Sequence, residues 1–139
     1  MKIRKFQNKD KISLITLWQI NFPDDPPHNE PASVIERKLA IDDLIFVAED
    51  NKKVIAACIA GYDGHRGWLY AVAVSQDYRR KGIGTKLIKT AIEALKVLGC
   101  IKINLQIRAT NKEVAEFYQS LGFTPEDRLS MGKLIDKRI

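Results

Sequence analysis

Three short apolar runs constrain this chain more than any other feature. Leu44–Ala48, Val54–Ala60 and Trp68–Val74 each have the length of a strand, and only the polar turns Asn51-Lys52-Lys53 and Gly64-His65-Arg66-Gly67 interrupt them. Links that short cannot hold the crossover of a dozen or more residues that a parallel pair needs. The runs therefore predict an antiparallel meander. Their continuous apolar character predicts that both faces of the sheet are covered.

The flanking segments supply the cover. Ile3 to Phe6 reads as a first strand. Ile12, Ile15 and Trp18, with Leu14 and Leu17 beside them, recur at helical spacing. Pro23, Pro26, Pro27 and Pro31 are four of the five prolines. Together with Asp24, Asp25, His28 and Glu30 they predict a semi-rigid loop without regular structure. A second helix is expected from about Ala32 to Ile41, with Val34, Ile35 and Leu39 inward.

After the meander the texture changes to strand-helix-strand-helix. Leu87, Ile88, Ala91, Ile92, Leu95 and Leu98 form one helical face, which Gly99 ends. Ile101, Ile103, Leu105 and Ile107 alternate with Lys102, Asn104, Gln106 and Arg108, the period of a strand. Asn111 is placed to cap a last helix whose inward face is Val114, Phe117, Tyr118 and Leu121. Phe123 onward, with a strand near Leu129 to Lys133, is expected to complete the sheet. The chain shows no repeat and no linker. The prediction is one domain over residues 1–139: mixed α/β, with helices on both faces of a central mixed sheet of six to seven strands.

The formal charge of +6 permits an anionic partner, and nucleic acid, a membrane surface and a polyphosphate all qualify. Other features narrow the choice. No helix-turn-helix or aromatic-rich RNA-binding pattern is present, which argues against nucleic acid. No apolar run approaches the roughly 18 residues that span a bilayer. The opening Met1–Lys5 leads into a polar stretch rather than a signal sequence, so a cytoplasmic location is expected. Cys58 and Cys100 lie among apolar residues without CxxC spacing and read as free thiols. His28 and His65 have no Cys, His or carboxylate cluster around them, so no metal is expected.

The segment from Val72 to Thr85 carries the chemistry. It joins the end of a strand to the start of a helix. Gly82 and Gly84 let the backbone approach a ligand closely, and the helix start offers N–H groups and the positive end of its dipole. Arg79, Arg80 and Lys81 add full charges at the same place. A bound phosphate or pyrophosphate follows from these features. Gly84-Thr85 lacks the spacing of a Walker loop, and Leu87 stands in the third glycine's place of a dinucleotide fingerprint.

What remains, Arg79-x-x-Gly82-x-Gly84 after Val72-Ala73-Val74, resembles the coenzyme A loop of the GNAT acetyltransferase superfamily. A second signature, Asn111-x-x-Val114-x-x-Phe117-Tyr118-x-x-Leu121-Gly122-Phe123, is similar to that family's Asn-x-x-Ala-x-x-Phe-Tyr-x-x-x-Gly-Phe element, with valine where alanine is usual. The order of elements matches as well, so the resemblance covers nearly the whole chain. Gly61 to Gly67 looks like the corresponding segment of a bacterial subgroup called YpeA-like.

The resemblance implies a GNAT-type fold and an N-acetyltransferase that moves an acetyl group from acetyl-CoA to an amine by direct attack in a ternary complex. Backbone groups of the Val72-Ala73-Val74 strand would pair with the pantetheine arm. Arg79, Arg80, Lys81, Gly82, Ile83, Gly84 and Thr85 would hold the pyrophosphate, and Asn111 would contact the cofactor arm. Tyr118 would lie beside the sulfur and protonate the departing thiolate. The N–H of Val74 or a neighbour would stabilise the tetrahedral oxyanion. A homodimer through exposed strand ends is common in this fold.

Two departures concern the base. Many relatives carry a glutamate where Tyr70 stands. Those that acetylate ribosomal-protein N-termini carry one in a Leu-Glu-Val-Arg strand, where this chain has Leu105-Gln106-Ile107-Arg108. Asp63 and His65 are the remaining ionisable candidates, acting through water. The missing base also leaves open a coenzyme A-binding module that is catalytically weak or inactive.

Overall fold

The three apolar runs form consecutive antiparallel strands, as their short turns require. The computed structural model describes residues 1–136 and divides after Leu105 into two compact units, each described by itself. The first unit contains β1 (Lys2–Lys5), α1 (Lys11–Asn21), α2 (Pro31–Leu39), β2 (Ile45–Asp50), β3 (Lys53–Tyr62), β4 (Gly67–Val74), α3 (Ile83–Val97) and β5 (Ile103–Leu105). Its sheet runs β1-β2-β3-β4-β5. The first four strands pair antiparallel, and β5 lies parallel to β4 after the α3 crossover.

Alternation along the strands decides which helix covers which face. Ile45, Val47, Ala57 and Ile59 join Leu14, Leu17 and Trp18 of α1 and Ile35 of α2 in one core. Phe46, Ala48, Ala56, Cys58 and Ala60 are also buried and point the other way. There α3 packs on the sheet, with Leu87, Ile88, Ala91 and Leu95 all at 0% exposure. Helices thus stand on both faces, as expected for a mixed α/β fold. Burial pushes the thiol pKa of Cys58 up to about 12, and both cysteines are free.

Local chemistry sets the element ends. Glu30 accepts hydrogen bonds from Ala32 N, Ser33 N and Ser33 Oγ at 3.1, 2.9 and 2.8 Å, and Pro31 takes the first position of α2. A proline there loses no helical bond, because its missing N–H would have had no partner. The proline-rich segment is therefore more ordered than expected. It contains a 3-10 turn at Pro27–Asn29 and starts the helix at its last proline. Near the N-terminus Arg4 binds Asp10 at 2.7 and 2.9 Å and also Glu49, tying β1 to β2. Burial raises the Asp10 carboxyl pKa, but the bonds from Arg4 and the Gln7 N–H outweigh it and hold it below its usual value.

The sheet has five strands among the described residues, not six or seven. The alternating run from Ile101 to Arg108 yields only Ile103–Leu105 as strand, and Ile101 is 96% exposed. β5 pairs with β4 only from Gly67 to Leu69, so the alternation has no longer ladder to fill.

In the second unit α4 (Lys112–Ser120) is capped by Asn111, whose side chain accepts from the Val114 N–H at 3.3 Å. Tyr118 meets Phe117 and Phe123 edge-on, with ring centroids 5.1 and 5.6 Å away. No strand forms near Leu129 to Lys133. Leu129 and Met131 are 93% and 90% exposed, so no buried face pins a register there.

Candidate functional site

The site in the first unit begins with a fault in β4. Ala57 pairs with Ala73 and Ile59 with Tyr70, so Cys58 alone faces both Ala71 and Val72. This is a bulge, and Ala71 takes φ +51°, a left-handed conformation unfavourable for a side chain. The indole N–H of buried Trp18 donates to the Ala71 carbonyl at 2.9 Å.

The second feature is the early end of the β4–β5 pairing. β5 accompanies β4 only as far as Leu69, so β4 from Tyr70 onward has no β5 partner. The Ser75 N–H donates to Ile55 of β3 at 2.8 Å. Peptide groups alternate along a strand, so Ala73 also faces β3 while Val72 and Val74 face away from it. Ala73 is buried, and its valine neighbours are half-buried.

Beyond β4 the chain makes a 3-10 turn at Gln76–Tyr78 and then bends sharply into α3. Arg80 and Gly82 have φ of +63° and +77°, with Lys81 between them not left-handed. Such alternation gathers N–H groups into a concavity for anions. Buried Ile83 and Leu87 anchor the start of α3, which has no side-chain cap and no acidic residue in its first turn. The N–H groups of Ile83, Gly84 and Thr85 have no intrahelical acceptors, and the helix dipole makes that end positive. A Cβ on Gly82 would meet nothing within 4 Å, so the space above the loop is open. The residues present fit a pyrophosphate.

The three cations of the loop differ in their surroundings. Arg79 Nε binds the Val74 carbonyl at 3.1 Å and its NH2 binds Asn21 Oδ1 at 2.9 Å, so this guanidinium holds the loop against β4 and α1. Lys81 Nζ lies 5.5 Å from the centroid of Tyr78, whose hydroxyl donates to Asp50 at 2.7 Å. Arg80 is exposed.

Val72, Ala73, Val74 and Arg79 to Thr85 are thus one continuous strand, loop and helix start. Asn111 and Tyr118 belong to the second unit, where Asn111 is a helix cap. Asp63 and His65 lie in the turn that opens β4, the end away from the glycine loop. The Asp63 carboxylate accepts from Arg66 N and His65 N at 2.7 and 2.8 Å, and these bonds hold its pKa below the usual value. A carboxylate so stabilised is a weaker base and a good turn former. At Tyr70, burial and then the charge of Asp42 raise the phenol's pKa, keeping it protonated. Trp18, Asn21 and the Ala71 bulge escaped sequence reasoning. An all-apolar run such as Tyr70 to Val74 carries no mark of an extra residue, and Trp18 reads as core.

A strand that outruns its β5 partner and leads into an uncapped, basic helix start has the donors and the charge to take a phosphorylated ligand. Similarity to known proteins gives the family. A profile described as the acetyltransferase (GNAT) family matches residues 12–123. An acetyltransferase of Pectobacterium atrosepticum is 40% identical over 140 residues, covering 99% of both chains. Another, of Sodalis glossinidius, is 42% identical over 135 residues, covering 96% of this chain and 94% of its own. A structure of AAC(6')-Iy with a bisubstrate analogue matches at TM-score 0.80 and 18% identity, covering 97% and 98% of the two chains, and shares the fold. The chain belongs to the GNAT family of acetyltransferases. Acetyl transfer from acetyl-CoA is its reaction, with acetyl-CoA as co-substrate. Among the described residues, no helix is long and apolar enough to cross a membrane.

Proposed function

We propose that residues 1–139 form a single N-acetyltransferase domain that acetylates an amine by direct attack on acetyl-CoA in a ternary complex. The observation that carries this reading is the β4 edge, unpaired with β5 past Leu69, which leads into the uncapped start of α3. Acetyl-CoA supplies an activated acyl carbon; the rest is binding, orientation and proton handling by the chain. The N–H groups of Gly82 to Thr85, with Arg80 and Lys81, would hold the pyrophosphate, and Arg79 would keep the loop in shape. Val74 and Val72 would bind the pantetheine arm through their outward backbone groups. The bulge favours the Val72 N–H as the oxyanion donor.

Tyr118 is the proposed general acid for the thiolate, and its edge contacts with Phe117 and Phe123 would limit its rotation. Asp63 and His65 would take the amine's proton only through water, because both sit at the opposite end of β4. Calorimetric titration with acetyl-CoA, free coenzyme A and ATP is the first test, followed by thiol release with a panel of amines. Micromolar acetyl-CoA binding with ATP clearly weaker supports the reading. No binding sinks it. Binding without transfer to any amine would make the chain a coenzyme A-binding module, a reading that the protonated Tyr70 at the usual glutamate position favours.

A further inference from the structure

Trp18 lies outside the glycine loop and outside both family signatures, yet it reaches from α1 to the bulge: its Nε1–H donates to the Ala71 carbonyl at 2.9 Å. The side chain is 3% exposed and packed in the core, so the indole has little freedom. Ala71 is held at φ +51°, where an alanine is strained. A peptide group is planar and trans, so its carbonyl and N–H point in opposite directions. Fixing the Ala71 carbonyl therefore fixes the direction of the Val72 N–H. A second tie from the same helix reaches β4 through Asn21, Arg79 and the Val74 carbonyl. α1 thus holds β4 at two points, Ala71 and Val74.

We infer that Trp18 is a positioning residue for acetyl transfer: through the Ala71 carbonyl its indole N–H holds the β4 bulge in the conformation that aims the Val72 N–H at the reacting carbonyl. The inference rests on the assignment of the β4 edge to the thioester arm. Without the indole N–H, Ala71 relaxes toward an ordinary strand conformation and the donor turns away. The phosphate loop, several residues further on, is unaffected. Trp18 therefore acts on turnover rather than on cofactor affinity.

The test compares wild type, Trp18→Phe, Ala71→Gly and the double variant. Thiol release from acetyl-CoA is measured with an acceptor amine and to water alone, with acetyl-CoA affinity and melting temperature alongside. Phenylalanine keeps most of the ring and removes the donor. Trp18→Phe is expected to lower kcat by about ten- to a hundredfold, the scale of a misaimed oxyanion donor, with acetyl-CoA affinity within about threefold. Ala71→Gly alone is the reference for the double variant. In the double variant glycine adopts positive φ without strain, and kcat should recover by about fivefold or more. Wild-type kcat in Trp18→Phe overturns the inference. So does a loss that tracks the melting temperature and that Ala71→Gly does not relieve. Failure of the wild-type protein to bind acetyl-CoA would instead remove the site assignment, and the inference with it.

Discussion

Replacing Gly82 with aspartate places a carboxylate at the proposed pyrophosphate site without disturbing the core. Gly82 is exposed, its Cβ position is open to 4 Å, and it has φ +77° and ψ 7°. Any side chain there meets a left-handed backbone, at a strain of about 1–2 kcal/mol. Gly82→Ala measures that strain alone. The aspartate adds a negative charge among the N–H groups that would bind phosphate. At about 5 Å and an effective dielectric of about 20, each phosphate charge is repelled by about 3 kcal/mol. The acetyl-CoA affinity of Gly82→Asp should therefore fall on the order of a hundredfold or more below that of Gly82→Ala. Part of the difference should disappear at high salt, where screening shortens the interaction. Calorimetry of both variants at two salt concentrations, with thermal melts to establish folding, makes the comparison. A folded Gly82→Asp protein that binds acetyl-CoA within threefold of Gly82→Ala would refute the placement of the pyrophosphate.

Tyr118→Phe should lower turnover by about a hundredfold, the scale of general acid catalysis, with acetyl-CoA affinity nearly unchanged; a fully active variant would leave Tyr118 as packing. Gly67→Ala would bring a Cβ to 2.7 Å from Cys100 Sγ, 3.1 Å from Ile103 and 3.2 Å from Leu95. It should cost about 1–3 kcal/mol in denaturant unfolding, and Cys100→Ala should restore part of that. Asp10 has a lower pKa folded than unfolded, so its contribution is complete above the unfolded value of about 3.9 and is lost as pH falls through the folded one. Asp10→Asn should accordingly cost about 1–3 kcal/mol at pH 7 and less at pH 3, and an equal loss at both would contradict the Arg4 pairing.

Much of the frame was legible in the chain because it follows from local rules. Short turns made the meander antiparallel, and the continuous apolar runs of β2 and β3 supplied two apolar faces. The spacing of Leu87, Ile88, Ala91 and Leu95 gave the helix that covers one of them. The glycine loop could be read as an anion site because glycine, cations and a helix start are visible as residue types at fixed spacing. The outer limits of the sheet were not legible. Ile101 to Arg108 alternates well but has β4 as a partner only from Gly67 to Leu69, and alternation records a face rather than a neighbour. Leu129 to Lys133 lacked even a buried face.

The sequence by itself determined the order of elements, the covering of the sheet and the place where phosphate chemistry is possible. Only the tertiary structure decided that β4 is bulged at Ala71, that its edge is free of β5 past Leu69, and that Trp18 and Arg79 tie that edge to α1. These facts depend on how many residues of one strand face another, and on which donor lies across the core. Both are relations between segments distant in the chain, and residue types at local spacing do not encode them.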